Sequence, residues 1–268
     1  MQFDGLHAVA DYSALYTCLR QVAFADFLRE RLGTFAVRCD PTERTVDFTS
    51  LDATGPAGRR VVRSRATLIA VIEPAAIVWG WAHPRGDPSG PASALREAGA
   101  RFGIDDFAVP RIELPPKLSR DEAADRRTEA VDVVAAAAVE STGISPYCTA
   151  RLDDGENRVD GKGRVDGDTG QGGDLAVFLL DDITLPEPSF ADFATRMPSM
   201  MRSLAVNDHR VAIHGMAARQ GWHINWRAGT DGGRSPICDV TDGVSVAHVE
   251  FDRRARPVDF SCDLAGRS

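Results

Sequence analysis

Apolar positions along the chain follow two rhythms, every second residue or every third and fourth. The stretch around which the rest of the chain is organised covers residues 66–83 and reads as two strands. Leu68, Ala70 and Ile72 share one face of a first strand, and Ile77, Trp79 and Trp81 share one face of a second. Glu73, Pro74, Ala75 and Ala76 form the turn between them. Two indoles two residues apart stay on one side of a sheet, where something must cover them. Gly80 lies between them and predicts close approach by another segment.

The flanking segments fit around this hairpin. Asp11 reads as the N-cap of a first helix with the stripe Tyr12, Leu15, Tyr16, Leu19, Val22, Ala23 and Phe27, and Gly33 as its stop. Phe35, Val37 and Cys39 alternate on a strand, and Val46 and Phe48 on its partner. Val61 and Val62 begin the strand that enters the hairpin. A helix over residues 92–102 turns Leu95, Ala98 and Phe102 inward, with Gly103 as its stop. Residues 109–114 predict a short strand. Ser119 and Glu122 form a capping box that opens an Ala/Val-rich helix ending at Gly143. Strands at 147–152 and 174–182 belong to one sheet, joined by a polar, Gly/Asp-rich run, 153–173, that cannot bury much surface and reads as a mobile loop.

Beyond residue 186, Ser189 caps a helix with the stripe Phe190, Phe193, Ala194, Met197, Met201 and Leu204, which Pro198 should break or kink. Four strands follow: Val211, Ile213 and Gly215 on one, Trp222, Ile224 and Trp226 on the next, Val244, Val246 and His248 on a third, Val258, Phe260, Cys262 and Leu264 on a fourth. The predicted fold class is α+β, with antiparallel sheets and helices packed on one face, in two units. Residues 1–185 make a helix plus antiparallel sheet domain with the Trp-Gly-Trp-Ala strand. Residues 186–268 make a kinked helix plus a four-strand antiparallel meander. The tetrapeptide Phe-Ala-Asp-Phe occurs at 24–27 and at 190–193; duplication and coincidence are both open readings.

Composition narrows the partners. A formal net charge of −8 on 268 residues argues against nucleic acid or an anionic membrane as the main partner. Only Lys117 and Lys162 among the 31 basic residues are lysine, as in a chain encoded by a GC-rich bacterium. The 5 cysteines are widely spaced with no Cys-x-x-Cys, which gives neither a zinc spacing nor a disulfide framework. Reduced, buried thiols in a cytosol fit best. The N-terminus carries no basic segment followed by an apolar run, and no apolar stretch is long enough to span a bilayer. A cytoplasmic location is expected.

Residues 35–40, 45–48, 76–83 and 95–103 together resemble the domain of unknown function 6882, an uncharacterised bacterial family of actinobacterial type. Its pattern is a strand pair, a Trp-x-Trp-Ala strand, and a helix ending in Gly before Ile or Leu. Residues 143–152 and 175–182 look like its closing strands, so the likeness runs over roughly residues 8–182. The family's usual Asn after the Trp-x-Trp-Ala element is His83 here, and 153–173 looks like an insertion. The resemblance implies no catalytic residues.

No catalytic constellation is legible. There is no phosphate-binding glycine loop and no Gly-x-Ser-x-Gly elbow. His83 is the best polar candidate, either a base or ligand contact at a pocket mouth or a strand-end residue satisfying a turn. His214, His223 and His248 fall on three strands whose alternation need not bring them together, so no metal site is assigned. Asp153, Asp154, Asp160, Asp166 and Asp168 do not match a calcium loop. Cys148 reads as a buried structural thiol. Trp222 and Trp226 form either an aromatic platform or the core beneath the Phe190/Phe193/Met197 stripe. The candidate ligand-binding residues are therefore Trp79, Trp81, His83, Trp222 and Trp226, with no cofactor. The expected function is a non-enzymatic module binding a small apolar ligand or a protein partner. The alternatives are a hydrolase or isomerase with a pocket around Trp79, Trp81 and His83, and a structural or assembly subunit.

Overall fold

The computed structural model describes residues 4–40, 43–51, 59–115, 120–152, 157–158, 173–228 and 236–265. Among them the fold is α+β, with six helices and two antiparallel sheets. The chain divides into two compact units. One comprises Met1–Ala10 and Arg20–Pro186, the other Asp11–Leu19 and Glu187–Ser268. The middle of the first helix thus groups with the C-terminal segment.

In the first unit, helix α1 (Asp4–Leu32) is followed by the antiparallel pair β1 (Phe35–Asp40) and β2 (Thr45–Ser50), with Val37 opposite Phe48. The long strand β3 (Val61–Ile72) pairs with β2 through its first half. Its second half pairs with both β4 (Ala76–Trp79) and the later β8 (Leu175–Leu180). β5 (Arg111–Glu113) extends β4, β6 (Tyr147–Arg151) extends β8, and β7 (Asn157–Arg158) pairs with β1. The sheet curls into a half-barrel around the last turns of α1. Phe24, Leu28 and Leu32 of α1 pack with Phe35, Val46, Phe48, Leu68 and Phe178. Phe24 meets Phe48 edge-on at 5.4 Å. Each such side chain removed from water contributes about 1.5–3 kcal/mol before entropy is charged against it. Helix α4 (Arg120–Thr142) packs on β3 and β8; Val131, Val134, Ala135 and Ala138 are all buried, and such small side chains permit close approach.

In the second unit, α5 (Phe190–Met200) and α6 (His209–Gln220) accompany the meander β9 (His223–Ala228), β10 (Pro236–Thr241), β11 (Val246–Phe251) and β12 (Pro257–Asp263). Cys238, Val240, Ala247, Val249 and Phe251 form its buried face. A capping box at Ser189 and Asp192 opens α5, and Pro198 lies within its last turn.

Several sequence expectations are corrected. α1 begins at Asp4, so Asp11 is not its cap; the Asp11 carboxylate instead accepts the N–H groups of Asn207 and Asp208. The segment with Val211, Ile213 and Gly215 is helix α6. Its start is capped by the Asp208 side chain, which accepts from the Arg210 N–H. Gly215 belongs there because the helix lies against α1: a Cβ would stand 1.8 Å from the Tyr12 carbonyl oxygen. The strand that completes the four is β10, between β9 and β11. Phe102 is 65% exposed and does not face inward. Ser119 and most of 153–173, including the five aspartates, lie outside the described residues.

Candidate functional site

The Trp-bearing hairpin has the expected turn, with the Glu73 N–H donating to the Ala76 carbonyl at 2.8 Å. Its second strand, however, stops at Trp79. The Gly80 N–H reaches the Ile69 carbonyl at 2.6 Å, and a Cβ on Gly80 would stand 2.0 Å from the Leu68 carbonyl oxygen. The backbone then turns, with the N–H groups of Ala82 and His83 both donating to the Trp79 carbonyl. Trp79 and Trp81 therefore do not share one sheet face, contrary to the alternation expected from sequence.

Trp79 is fully buried, stacks edge-on against Phe107 of α3 (Asp105–Ala108) at 5.6 Å, and donates its indole N–H to the Asp106 carbonyl at 2.9 Å. A ring so enclosed and so satisfied is core. Trp81 is half-buried beneath the Arg96 guanidinium of α2 (Ser93–Phe102), 5.3 Å from the ring centre, and its buried Nε1 has no hydrogen-bond partner. His83 Nδ1 accepts the Arg85 N–H at 3.2 Å, as a turn residue does. Among the described residues no carboxylate hydrogen-bonds His83. Burial and the Arg85 guanidinium hold its pKa below the ordinary imidazole value. An imidazole without an acidic orienter, bonded into its own turn, lacks the arrangement a general base needs.

The residues after His83 bound a small cavity of about 50 Å³ with Cys39, Thr45, Thr67, Arg85, Asp87 and Phe178 in its wall. Asp87 is tied to Arg44 at 2.5 Å, and Arg85 donates to the Leu152 carbonyl at 2.6 Å. Burial and the neighbouring Asp40 push the Cys39 thiol up to about 12, so it is not a nucleophile at neutral pH. This cavity holds little more than water.

The family comparison falls on this unit. Residues 7–183 match the model described as Family of unknown function (DUF6882). The chain belongs to the DUF6882 family. The DUF6882 match contains Trp79, Trp81 and His83 but ends before α5, so Trp222 and Trp226 lie beyond it. No curated protein and no solved structure matches the chain.

The second unit holds a more open feature. Trp222 packs on Phe190 at 5.0 Å and Phe193 at 5.4 Å, which makes it part of the aromatic cluster under α5. Trp226 is different. It tilts against Phe251 at 5.8 Å yet remains 38% exposed. It floors a groove of about 340 Å³ with Asp208, Arg210, Val211, His214 and Pro236. Arg210 and Asp208 are fixed to each other at 2.6 Å, and that pairing lowers the Asp208 pKa. The groove therefore has an apolar floor and a polar rim, as small-ligand and side-chain pockets do. His214 stands on α6 rather than on a strand, so it, His223 and His248 do not lie on one sheet.

Reading residues 211–215 as strand hid α6 and with it Asp208, Arg210 and Val211. A signal was present: His209, Ala212, Ile213, Met216 and Ala217 repeat at helical spacing, and all are buried.

Proposed function

We propose that the chain is a bacterial, cytoplasmic binding module that takes an apolar ligand or an apolar side chain of a protein partner in the Trp226 groove. The observation that carries this reading is the 38% exposure of Trp226 over a groove walled by α6. Exposed Trp and Arg side chains around a concavity are the residue types that dominate binding energy at interfaces. Val211 and Pro236 add apolar wall, while Arg210, Asp208 and His214 supply groups that orient a bound partner. Trp79 has no surface to offer, which removes it from the ligand contacts. The cytoplasmic setting is supported by five free cysteines, two of them buried. Among the described residues no helix is long and apolar enough to cross a membrane.

The test is a titration of the full chain with a panel of apolar small molecules and short apolar peptides, screened by Trp emission and measured by calorimetry. At least one probe should bind with a Kd below about 1 mM. Trp226→Ala should weaken it by about tenfold or more, while the exposed-site control Val258→Ser leaves it unchanged. Failure of the whole panel, or equal heats from wild type and Trp226→Ala, refutes the groove as the binding site.

A further inference from the structure

The face of the meander opposite its buried side carries a row of polar side chains in register across all four strands. Asn225 of β9 lies opposite Asp239 of β10, Asp239 opposite His248 of β11, and His248 opposite Ser261 of β12. Directly opposed residues project to one face with Cβ atoms about 4.5–5.5 Å apart. We infer that Ser261, His248 and Asp239 form a nucleophilic site in which Ser261 accepts the acyl group of a carboxylic ester.

The geometry of the middle pair sets the roles. His248 Nδ1 stands 2.6 Å from Asp239 Oδ1, and Arg227 Nη2 donates to the same oxygen at 2.7 Å. Arg227 holds the Asp239 carboxyl below the usual carboxylate range, so Asp239 is an acceptor only and the imidazole proton sits on Nδ1. That leaves the Nε2 lone pair free. Neither Ser261 Oγ nor His248 Nε2 has a hydrogen-bond partner among the described residues, so the hydroxyl is free to rotate toward the base. An Asp-oriented His beside a Ser hydroxyl is the arrangement that activates serine on unrelated folds.

In the reaction, Ser261 Oγ bonds to the ester carbonyl carbon and its proton passes to His248 Nε2. The carbon–oxygen bond to the leaving alcohol breaks, and that alcohol takes the proton from Nε2. Water then hydrolyses the acyl-serine by the reverse proton path, giving the carboxylic acid and the free hydroxyl. Glu250, Asp259 and Asp263 belong to the same face, so a neutral or cationic ester is favoured over an anionic one. This site goes beyond the binding groove, which lies on the other side of the sheet.

The test is labelling of the full chain with a neutral alkyl fluorophosphonate and mapping of the modified peptide by mass spectrometry. In that probe reaction Oγ bonds to phosphorus, fluoride leaves, and the proton goes to Nε2. Ser261 should label faster than every other serine, and S261A should lose that label. H248A should slow labelling by about 100-fold, with free imidazole restoring part of it, which a merely structural role for His248 does not predict. D239N, which keeps the side-chain shape, should slow it as well. Labelling no faster than at other serines, or equal labelling in folded H248A, overturns the inference.

Discussion

Gly80→Ala is the sharpest probe of the first unit. The added Cβ would stand 2.0 Å from the Leu68 carbonyl oxygen, 2.8 Å from its carbon and 3.0 Å from the Ile69 oxygen, all of them backbone atoms that cannot rotate aside. Ordinary contact is about 3.5 Å, so the turn after β4 must withdraw by roughly 1 Å or more. Withdrawal breaks the 2.6 Å bond from the Gly80 N–H to Ile69, worth about 0.5–1.5 kcal/mol. It also shifts the neighbouring Trp79 in its enclosed seat, an overpacking cost of about 1–3 kcal/mol. The expected loss is about 2–4 kcal/mol, well above the 0.4–1 kcal/mol or so that alanine gains by restricting the unfolded chain. The assay is urea unfolding of the full chain, with hydrogen exchange assigning the loss to peptides from β3 and β4. Gly173→Ala, with nothing within 4 Å of its added Cβ, is the control and should stay within about 0.5 kcal/mol of wild type. A Gly80→Ala protein as stable as that control refutes the claim that the turn is pinned against β3.

Gly215→Ala should destabilise the second unit in the same way, because its Cβ would stand 1.8 Å from the Tyr12 carbonyl oxygen; calorimetric melting should show the loss. Trp79→Phe should cost about 1–3 kcal/mol by leaving the Asp106 carbonyl unpaired and a void beside Phe107, read by urea midpoint. The folded Asp239 pKa is depressed, so its contribution is present above the unfolded carboxyl value near ~3.9 and is lost as pH falls through the lower folded value. Asp239→Asn should therefore flatten the acid limb of the second unit's stability profile, and an unchanged acid limb would count against the Arg227–Asp239 pairing. Burial pushes Cys39 and Cys238 up to about 12, so a thiol-disulfide reagent at pH 8 should modify both far more slowly in the folded chain than in the urea-unfolded one.

Residues 61–83 show what alternation can and cannot decide. β3, the turn at 73–76 and the start of β4 were legible because a short apolar run ending at a Glu-Pro turn fits a buried strand, and Leu68 to Ile72 are buried on both faces. The end of β4 was not. Trp81 continues the alternation, but the hydrogen bonds from Gly80 to Ile69 and from Ala82 to Trp79 carry the backbone out of the sheet. Those partners lie on a different strand or arise from the turn itself, so side-chain pattern holds no record of them. Residues 209–220 failed for a related reason. Val211, Ile213 and Gly215 satisfy period two over five residues, while the full segment satisfies the helical period over twelve.

By itself, the sequence determined the α+β class, most elements of the half-barrel and the DUF6882 likeness, because these depend on local periodicity and turn chemistry. Only the tertiary structure decided which indoles are enclosed. Trp79 and Trp226 both sit on strands beside apolar neighbours, yet α3 closes over one and a groove is left open over the other. It also decided that Asp239, His248 and Ser261 stand in one row, since strand register fixes neighbours across the sheet that no spacing along the chain specifies.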